Sequence, residues 1–185
     1  MLEVEMKFPI DDFAAVESRL AGAGASPACA RRDVDHYFNA PDRDFARTDE
    51  ALRLRRIGEA NFVTYKGPKQ DAQTKTRTEI EVSLAEGPAA AEGFMRILTH
   101  LGYRPVAVVQ KQRRVYHLER AAFSLEVCLD DVEGVGRFIE VETLAPEEHL
   151  ADARRVVQEL ATDLGLGRSE RRSYLELLLE TRAMP

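Results

Sequence analysis

The sequence predicts one α+β domain in which an antiparallel sheet of about eight strands carries helices on its outside. Several short segments alternate charged and apolar residues with a period of two, which is typical of strands with one dry face. Many of these segments follow one another as hairpin-like pairs, which favours antiparallel pairing. Four apolar stripes with helical spacing lie between them, and no linker or repeat divides the 185 residues, so we expect a single domain over 1–185.

The strand segments are bounded by prolines, glycines and polar runs. A hairpin is predicted around Gly58, where two alternating segments face each other across a short turn. The predicted strands cover 2–8, 28–38, 52–55, 62–66, 77–82, 105–118, 122–130 and 138–143.

Four helices are predicted from apolar stripes and terminal residues. The first begins at Asp11 or Asp12 and ends near Ala23, and the last is short and contains Tyr174 to Leu179. The other two run from Pro88 to Gly102 and from Pro146 to Leu164. Residues 39–49 have the composition of a loop.

Composition excludes several classes of protein. The 32 acidic residues outnumber the 26 basic ones, which argues against a nucleic-acid partner or an anionic membrane surface. Cys29 and Cys128 form no zinc motif, and we expect both to be reduced core residues. With no leader segment and no apolar run of about 20 residues, the expected location is the cytoplasm.

The charged residues of the predicted strands share one face of the sheet. By parity they lie opposite apolar residues such as Val4, Ile80 and Ile139. The set contains eight carboxylates and seven cations: Glu3, Glu5, Glu79, Glu81, Glu126, Asp130, Glu140 and Glu142, with Lys7, Arg53, Arg55, Lys66, Arg77, Lys111 and Arg113.

A charged face can simply be the solvated side of an antiparallel sheet. Here charged residues of both signs crowd one face of about seven strands. A long open sheet also tends to curl or close, because the unpaired backbone groups of its edge strands favour aggregation. Closure with the charged face inward and the helices outside would form a tunnel lined by acidic and basic side chains.

A tunnel of this kind would suit a metal-bound polyphosphate. Buried charges are costly unless they are paired, and neighbours of like sign raise the cost. Divalent cations relieve clusters of carboxylates, and phosphate oxygens relieve clusters of arginine and lysine. We therefore expect a triphosphate bound by the cations, with Mg²⁺ or Mn²⁺ bound by the carboxylates.

The order of motifs along the chain resembles the CYTH superfamily, the triphosphate tunnel metalloenzymes. The resemblance begins with the E-x-E-x-K pattern of Glu3-Val4-Glu5-Met6-Lys7 and covers nearly the whole chain. The matching motifs continue through residues 35–38, 52–55, 64–68, 77–81, 111–113, 129–132 and 136–142. Near the end of the chain, residues 173–178 are similar to the class IV adenylate cyclase branch. The resemblance implies a closed eight-stranded antiparallel β-barrel, two divalent ions per site and a possible homodimer.

The resemblance also implies roles for individual residues. The metal side would comprise Glu3, Glu5, Glu79, Glu81, Asp130, Glu140 and Glu142. The phosphate side would comprise Lys7, Arg53, Arg55, Lys66, Arg77, Lys111 and Arg113. Glu126 matches the family pattern more loosely.

Three activities are consistent with these residues. The first is a class IV adenylate cyclase-like conversion of ATP to cyclic AMP and pyrophosphate, which needs a nucleoside pocket at a tunnel mouth. The second is hydrolysis of inorganic tripolyphosphate or thiamine triphosphate, which needs a placed water. The third is binding of a polyphosphate or nucleotide without turnover.

Two further features leave alternatives open. Lys7 with Tyr37 could act as a general base for water, or Lys7 could be a cationic phosphate ligand only. The polar segment 67–75 could be a flap over the tunnel mouth or an ordinary solvated loop. The four histidines share no ligand spacing and are expected to be structural or exposed.

Overall fold

The computed structural model describes residues 2–68 and 77–183. The predicted flap lies largely outside these residues. The strands are β1 Leu2–Pro9, β2 Ser26–Asn39, β3 Ala51–Ile57, β4 Ala60–Lys66, β5 Glu79–Ser83, β6 Arg104–Arg120, β7 Phe123–Val132 and β8 Gly136–Ala145. The α-helices are α1 Ala14–Gly22, α2 Phe45–Thr48, α3 Pro88–His100, α4 Leu150–Asp163 and α5 Tyr174–Ala183, and a 3-10 helix covers Glu147–His149.

The eight strands form one antiparallel sheet that curls round on itself. Their order is β1-β8-β7-β6-β2-β3-β4-β5, so β1 and β5 are the two edges. The edges meet through one antiparallel bridge between Glu3 and Arg77. The predicted α+β fold, an eight-stranded antiparallel sheet with external helices, is thus confirmed as a curled sheet. Among residues 2–68 and 77–183, its edges are joined at this bridge and not by a long ladder of hydrogen bonds.

The outer face of the sheet is apolar, and helices cover much of it, although Ile80 and Val82 of β5 stay exposed. Helices α1 and α4 pack on β1, β7 and β8, where Val4, Val127 and Ile139 are fully buried against Leu160. Helix α3 covers β3 and β4 through Leu98 and neighbouring residues. Burial of this face leaves the charged face pointing inward, because successive side chains of a strand point to opposite faces.

The predicted hairpin around Gly58 is confirmed. Strands β3 and β4 pair from Ala51 opposite Lys66 to Ile57 opposite Ala60. Gly58 lies in the turn with φ of 58°, a left-handed conformation that glycine adopts without steric cost.

The structure corrects some of the expected boundaries. Residues 39–49 contain the short helix α2, whose N-terminal amide at Ala46 is capped by the Asp44 side chain. The first turn of the helix predicted from Pro146 is 3-10, and α4 begins only at Leu150.

The environments of the two cysteines also differ from the expectation. Cys128 is buried as predicted, whereas Cys29 is exposed on β2. Among the described residues, no helix is long and apolar enough to span a membrane.

Candidate active site in the tunnel

The inward-facing side chains line a single cavity of about 390 Å³, which we call the tunnel. All seven predicted phosphate-side cations line it: Lys7, Arg53, Arg55, Lys66, Arg77, Lys111 and Arg113. Six of the seven predicted metal-side carboxylates also line it: Glu3, Glu5, Glu79, Glu81, Glu140 and Glu142. The charged face therefore encloses a cavity instead of lying open to solvent.

Arg55 and Asp35 form a two-pronged ion pair on neighbouring strands. Asp35 lies opposite Arg55 in the β2–β3 ladder, and the guanidinium donates two hydrogen bonds of 2.7 and 2.8 Å to its carboxylate. Burial alone would raise the pKa of Asp35, but the Arg55 guanidinium outweighs it and holds the pKa well below its usual range. Arg55 is therefore held in a fixed orientation.

Asp130 organises a second group of cations. Its carboxylate is fully buried and accepts hydrogen bonds from Lys111 at 3.1 Å, from both nitrogens of the Arg113 fork and from the Tyr174 hydroxyl at 2.8 Å. Arg113 also donates to Glu140. Asp130 was predicted on the metal side by resemblance. Here it lies behind the tunnel lining and binds Lys111 and Arg113, and its role as a metal ligand stays a prediction.

Three further cations, Arg53, Lys66 and Arg77, have polar partners on the β4–β5 side of the tunnel. Glu79 accepts from Lys66 and, at 3.2 Å, from Arg77. Arg53 donates to the Thr64 hydroxyl at 3.0 Å, and that hydroxyl donates to Glu81 at 2.8 Å. Bound phosphate oxygens could replace these carboxylates as hydrogen-bond acceptors, because Arg and Lys bind both groups in a similar way.

The carboxylates of Glu3, Glu5 and Glu142 form the most acidic part of the tunnel. One carboxylate oxygen from each lies within 4.8 Å of the others. The register explains this, since Glu5 lies directly opposite Glu142 in the β1–β8 ladder and Glu3 is on the same face of β1.

The electrostatics of this cluster favour a bound cation. Burial, followed by the repulsion of Glu79, Glu5 and Glu140, raises the pKa of Glu3 to about 7 despite the opposing effect of Lys66. Burial and the adjacent Glu3 also raise the pKa of Glu142. Three convergent carboxylates, two of which have a raised pKa, fit a hard divalent cation, which prefers oxygen ligands.

Lys7 lies at the opposite end of the same face of β1. Its side chain is 1% exposed, and its ammonium donates to the Arg172 carbonyl at 2.5 Å. Tyr37 also lines the tunnel, and burial raises the pKa of its hydroxyl, so the phenol is protonated and can donate a hydrogen bond. The paired role of Lys7 and Tyr37 as a general base stays a prediction.

A second cavity of about 940 Å³ adjoins the acidic end of the tunnel, and we call it the rim chamber. It shares Glu3, Glu126 and Glu142 with the tunnel lining. Its other lining residues include His117, Phe123, Ser124, Leu144, His149 and Arg155. A volume of this size is within the usual range for small-molecule sites.

The wall of the rim chamber combines apolar and polar groups. Leu144 is 57% exposed there, which is unusual for a large apolar residue on the inner face of a barrel. His117 Nε2 lies 3.4 Å from a Glu126 carboxylate oxygen. His117 and His149 are exposed, as expected for the histidines, and both line the rim chamber next to the acidic cluster.

Sequence reasoning missed several tunnel residues. Asp33 and Asp35 have the same strand parity as Tyr37, so period two could have placed both inside. Asp33 is fully buried and contacts three cations, with its oxygens 3.0 Å from Arg31, 3.6 Å from Arg55 and 4.0 Å from Lys111. No local pattern could have found the contacts of Tyr174, because they depend on where α5 docks.

Comparisons with known proteins show similar chains and folds over nearly the whole length. A protein of Methanocaldococcus jannaschii, provisionally named an adenylate cyclase, is 39% identical over 96% of this chain and 98% of its own. The adenylate cyclase CyaB of Aeromonas hydrophila is 31% identical over 95% of this chain and 87% of its own. A solved structure from Pyrococcus horikoshii superposes with a TM-score of 0.86 at 38% identity, covering 97% of this chain and 99% of that one.

The family of the chain follows from its motifs, its fold and these relatives. The CYTH domain matches residues 1–174. Members of that family typically act on triphosphates and use divalent metal ions. This chain, with its curled antiparallel sheet and its tunnel of paired charges, belongs to the CYTH family.

Proposed function

We propose that the protein is a divalent-metal-dependent enzyme that converts ATP to cyclic AMP and pyrophosphate, as a class IV adenylate cyclase does. The observation that carries the proposal is that one tunnel encloses many cations together with a cluster of three carboxylates. Seven cations line the cavity, and three convergent carboxylates lie where it meets the rim chamber. Two relatives that are at least 31% identical are named as adenylate cyclases, one of them provisionally.

The proposed orientation of ATP follows from this charge distribution. The β- and γ-phosphates would contact the cations, including Arg55, Lys111 and Arg113, because guanidinium and ammonium groups neutralise phosphoryl oxygens. The α-phosphate would lie near Glu3, Glu5 and Glu142, which would hold Mg²⁺ or Mn²⁺. A bound divalent ion would supply charge stabilisation at the phosphoryl oxygens.

The reaction is an in-line displacement at the α-phosphorus. The ribose 3′-oxygen forms a bond to this phosphorus, the bond to the β-phosphate oxygen breaks, and the 3′-hydroxyl proton leaves to a base or solvent. The cations that hold the β- and γ-phosphates would stabilise the negative charge that develops on pyrophosphate.

The rim chamber favours a substrate with an organic group over tripolyphosphate. A triphosphate alone would need only the tunnel, whereas a nucleoside needs adjoining space with apolar and hydrogen-bonding walls. The exposed Leu144 side chain and the polar groups of His117 and Ser124 provide both kinds of contact.

The experiment that tests the function compares three substrates in a metal titration. ATP, tripolyphosphate and thiamine triphosphate are each incubated with the protein across a range of Mg²⁺ and Mn²⁺ concentrations, and the products are separated. Cyclic AMP with equimolar pyrophosphate supports the proposal. Orthophosphate as the main product would identify a hydrolase, and tight binding without any product would identify a binding module.

Two variants tie the activity to the proposed site. Glu5→Gln should abolish metal-dependent turnover while leaving the fold intact, because it removes one of three clustered carboxylates. Glu92→Gln, at an exposed position of α3, is the matched control and should behave as wild type. Leu144→Ser, which adds no charge beside Glu3, should raise the KM for ATP without changing the affinity for tripolyphosphate, and an equal effect on both ligands would argue against a nucleoside in the rim chamber.

A further inference from the structure

The segment that begins α5 closes the end of the tunnel that is remote from the acidic cluster. Ser173, Tyr174, Leu175 and Leu179 line the cavity beside the strand residues. The segment is attached to β1 by a backbone hydrogen bond of 2.7 Å from the Glu170 amide to the Lys7 carbonyl. The terminal helix therefore contributes side chains directly to the proposed site.

Tyr174 contacts two of the proposed phosphate-binding cations at once. The Lys7 ammonium lies 4.0 Å from the centroid of its ring, and the Lys111 ammonium lies 5.1 Å from the same centroid. The two lysines come from β1 and β6, which are separated by β8 and β7 in the sheet. The ring thus connects two ammonium groups from strands that do not pair with each other.

The tyrosine is itself held firmly in place. Its hydroxyl donates to Asp130 at 2.8 Å, and its ring makes an edge-to-face contact with Phe138 at a centroid distance of 5.3 Å. The side chain is buried, with the residue 7% exposed. The hydroxyl contact links it to the same carboxylate that accepts a hydrogen bond from Lys111.

A ring in this position has a clear electrostatic effect. The faces of aromatic rings carry partial negative charge, so they attract ammonium groups, and the attraction grows when water is excluded. Two buried ammonium groups near each other would otherwise repel and turn away from a common ligand. The ring restricts both groups without itself neutralising them, and the Lys111 ammonium is also paired with Asp130.

We propose that Tyr174 is a positioning residue for the triphosphate, whose ring orients the Lys7 and Lys111 ammonium groups toward the bound phosphates. The inference rests on the proposed function, because it assumes that a triphosphate occupies the tunnel. The competing explanation is that the ring only packs against its apolar neighbours, which include Val109, Leu177 and Leu178.

Three variants separate the two explanations. Tyr174→Phe keeps the ring and loses only the hydroxyl contact, whereas Tyr174→Leu keeps an apolar side chain and loses the ring. Leu178→Ala is the packing control, because Leu178 is buried in the same apolar cluster and does not line the tunnel. Tripolyphosphate and ATP affinities are measured by calorimetry for each, with KM and kcat for ATP and the thermal midpoint of unfolding.

The expected order of affinities distinguishes a positioning role from a packing role. Tyr174→Leu should weaken triphosphate binding by about tenfold, the effect of losing two partly desolvated cation–π contacts. Tyr174→Phe should stay close to wild type. Leu178→Ala should lower the thermal midpoint and leave the affinity unchanged.

A spectroscopic measurement reports on the lysines directly. The chain contains five lysines, Lys7, Lys66, Lys69, Lys75 and Lys111, so side-chain signals from selectively labelled lysine can be assigned by substitution. Ring currents from Tyr174 should shift the ε-methylene signals of Lys7 most and those of Lys111 less. The shifts should persist in Tyr174→Phe and disappear in Tyr174→Leu.

Two outcomes would overturn the inference, and they differ in what they say about the function. If the wild-type protein binds triphosphate but Tyr174→Leu has wild-type affinity, or Tyr174→Phe is impaired equally, the role of the ring is wrong while the proposed function stands. If the wild-type protein binds neither ATP nor tripolyphosphate, the proposed function fails and the role of Tyr174 fails with it.

Discussion

Adjacent residues of one strand can have unrelated roles, and Arg55 and Arg56 illustrate this. Arg55 points into the tunnel and forms the two-pronged pair with Asp35, whereas Arg56 has the opposite parity on β3. The two guanidinium groups are chemically identical. Only the side of the sheet on which each lies gives Arg55 access to the proposed phosphate site.

Arg55→Ala should weaken triphosphate binding by about 1.5–3 kcal/mol, the range for hydrogen bonds to charged groups. Arg56→Ala is the matched control and should leave the affinity unchanged. Titration calorimetry with tripolyphosphate measures both variants. Equal losses in the two would show that Arg55 acts through the overall charge of the protein and not by direct contact.

The raised pKa of Glu3 predicts a pH dependence of stability and of metal binding. The folded state binds this proton more tightly than the unfolded chain, with a pKa of about 7 against 4.5. The stabilising contribution is therefore complete below about pH 4.5 and is lost as the pH rises through about 7. A divalent cation should offset the loss, because it replaces the proton among the carboxylates.

Urea unfolding at pH 5 and pH 8, with and without Mg²⁺, measures this effect. We expect Mg²⁺ to stabilise the protein more at pH 8 than at pH 5, and metal binding near pH 6 to release protons. The Glu3→Gln variant should show a smaller pH dependence than wild type. An identical pH dependence in the two proteins would contradict the assignment to Glu3.

At the scale of elements, the helices keep the apolar face of the sheet dry and so determine which face is the tunnel. Leu160 of α4 is fully buried in the cluster formed with β1, β7 and β8. The acidic cluster belongs to the opposite face of two of these strands, β1 and β8. The buried face of α4 therefore supports the acidic cluster from the other side of the sheet, while its residue Arg155 lines the rim chamber.

Leu160→Ala should lower the free energy of unfolding by about 2–5 kcal/mol, the usual range for a leucine truncated in a core. Ile97→Ala is the control, because Ile97 is an exposed residue of α3 and should change stability little. Urea denaturation measures both variants. A loss of triphosphate affinity in folded Leu160→Ala protein would mean that the helix layer influences the tunnel geometry more directly than we infer.

At the scale of the whole molecule, the tunnel encloses many side chains of opposite charge. In the described part of the chain, most cations of the tunnel are paired with carboxylates such as Asp35, Glu79 and Asp130. Buried pairs of this kind are at best weakly stabilising, because desolvation offsets much of the attraction. A triphosphate with a divalent ion would satisfy both sets of charges and join strands from opposite sides of the barrel.

Ligand binding should therefore stabilise the whole fold. At a ligand concentration of about 100 times Kd, the gain is about 2.7 kcal/mol. For a domain of this size, that corresponds to a rise in the thermal midpoint of about 5–10 °C. Differential scanning fluorimetry with Mg²⁺ and tripolyphosphate measures the rise, and Glu5→Gln should show a smaller one than wild type. No shift with saturating ligand would contradict binding inside the tunnel.

Much of this architecture can be predicted from local patterns of the sequence. The alternation of Glu3, Glu5 and Lys7 with Val4 and Met6 is enough to predict a strand with one charged face. Period two also separates the inward cations from the outward apolar residues, because the pleat of each strand depends only on its own backbone. The sequence by itself thus determined which residues share a face.

Only the tertiary structure decided which charges meet. Glu5 lies beside Glu142 because β1 pairs with β8, and Asp35 binds Arg55 because the β2–β3 register places them opposite each other. Tyr174 reaches Lys7 and Lys111 only because a helix at the end of the chain docks on the tunnel. The physical reason is that strand register and helix docking depend on the apolar surface buried between residues far apart in the chain. A local pattern such as period two carries no information about those contacts.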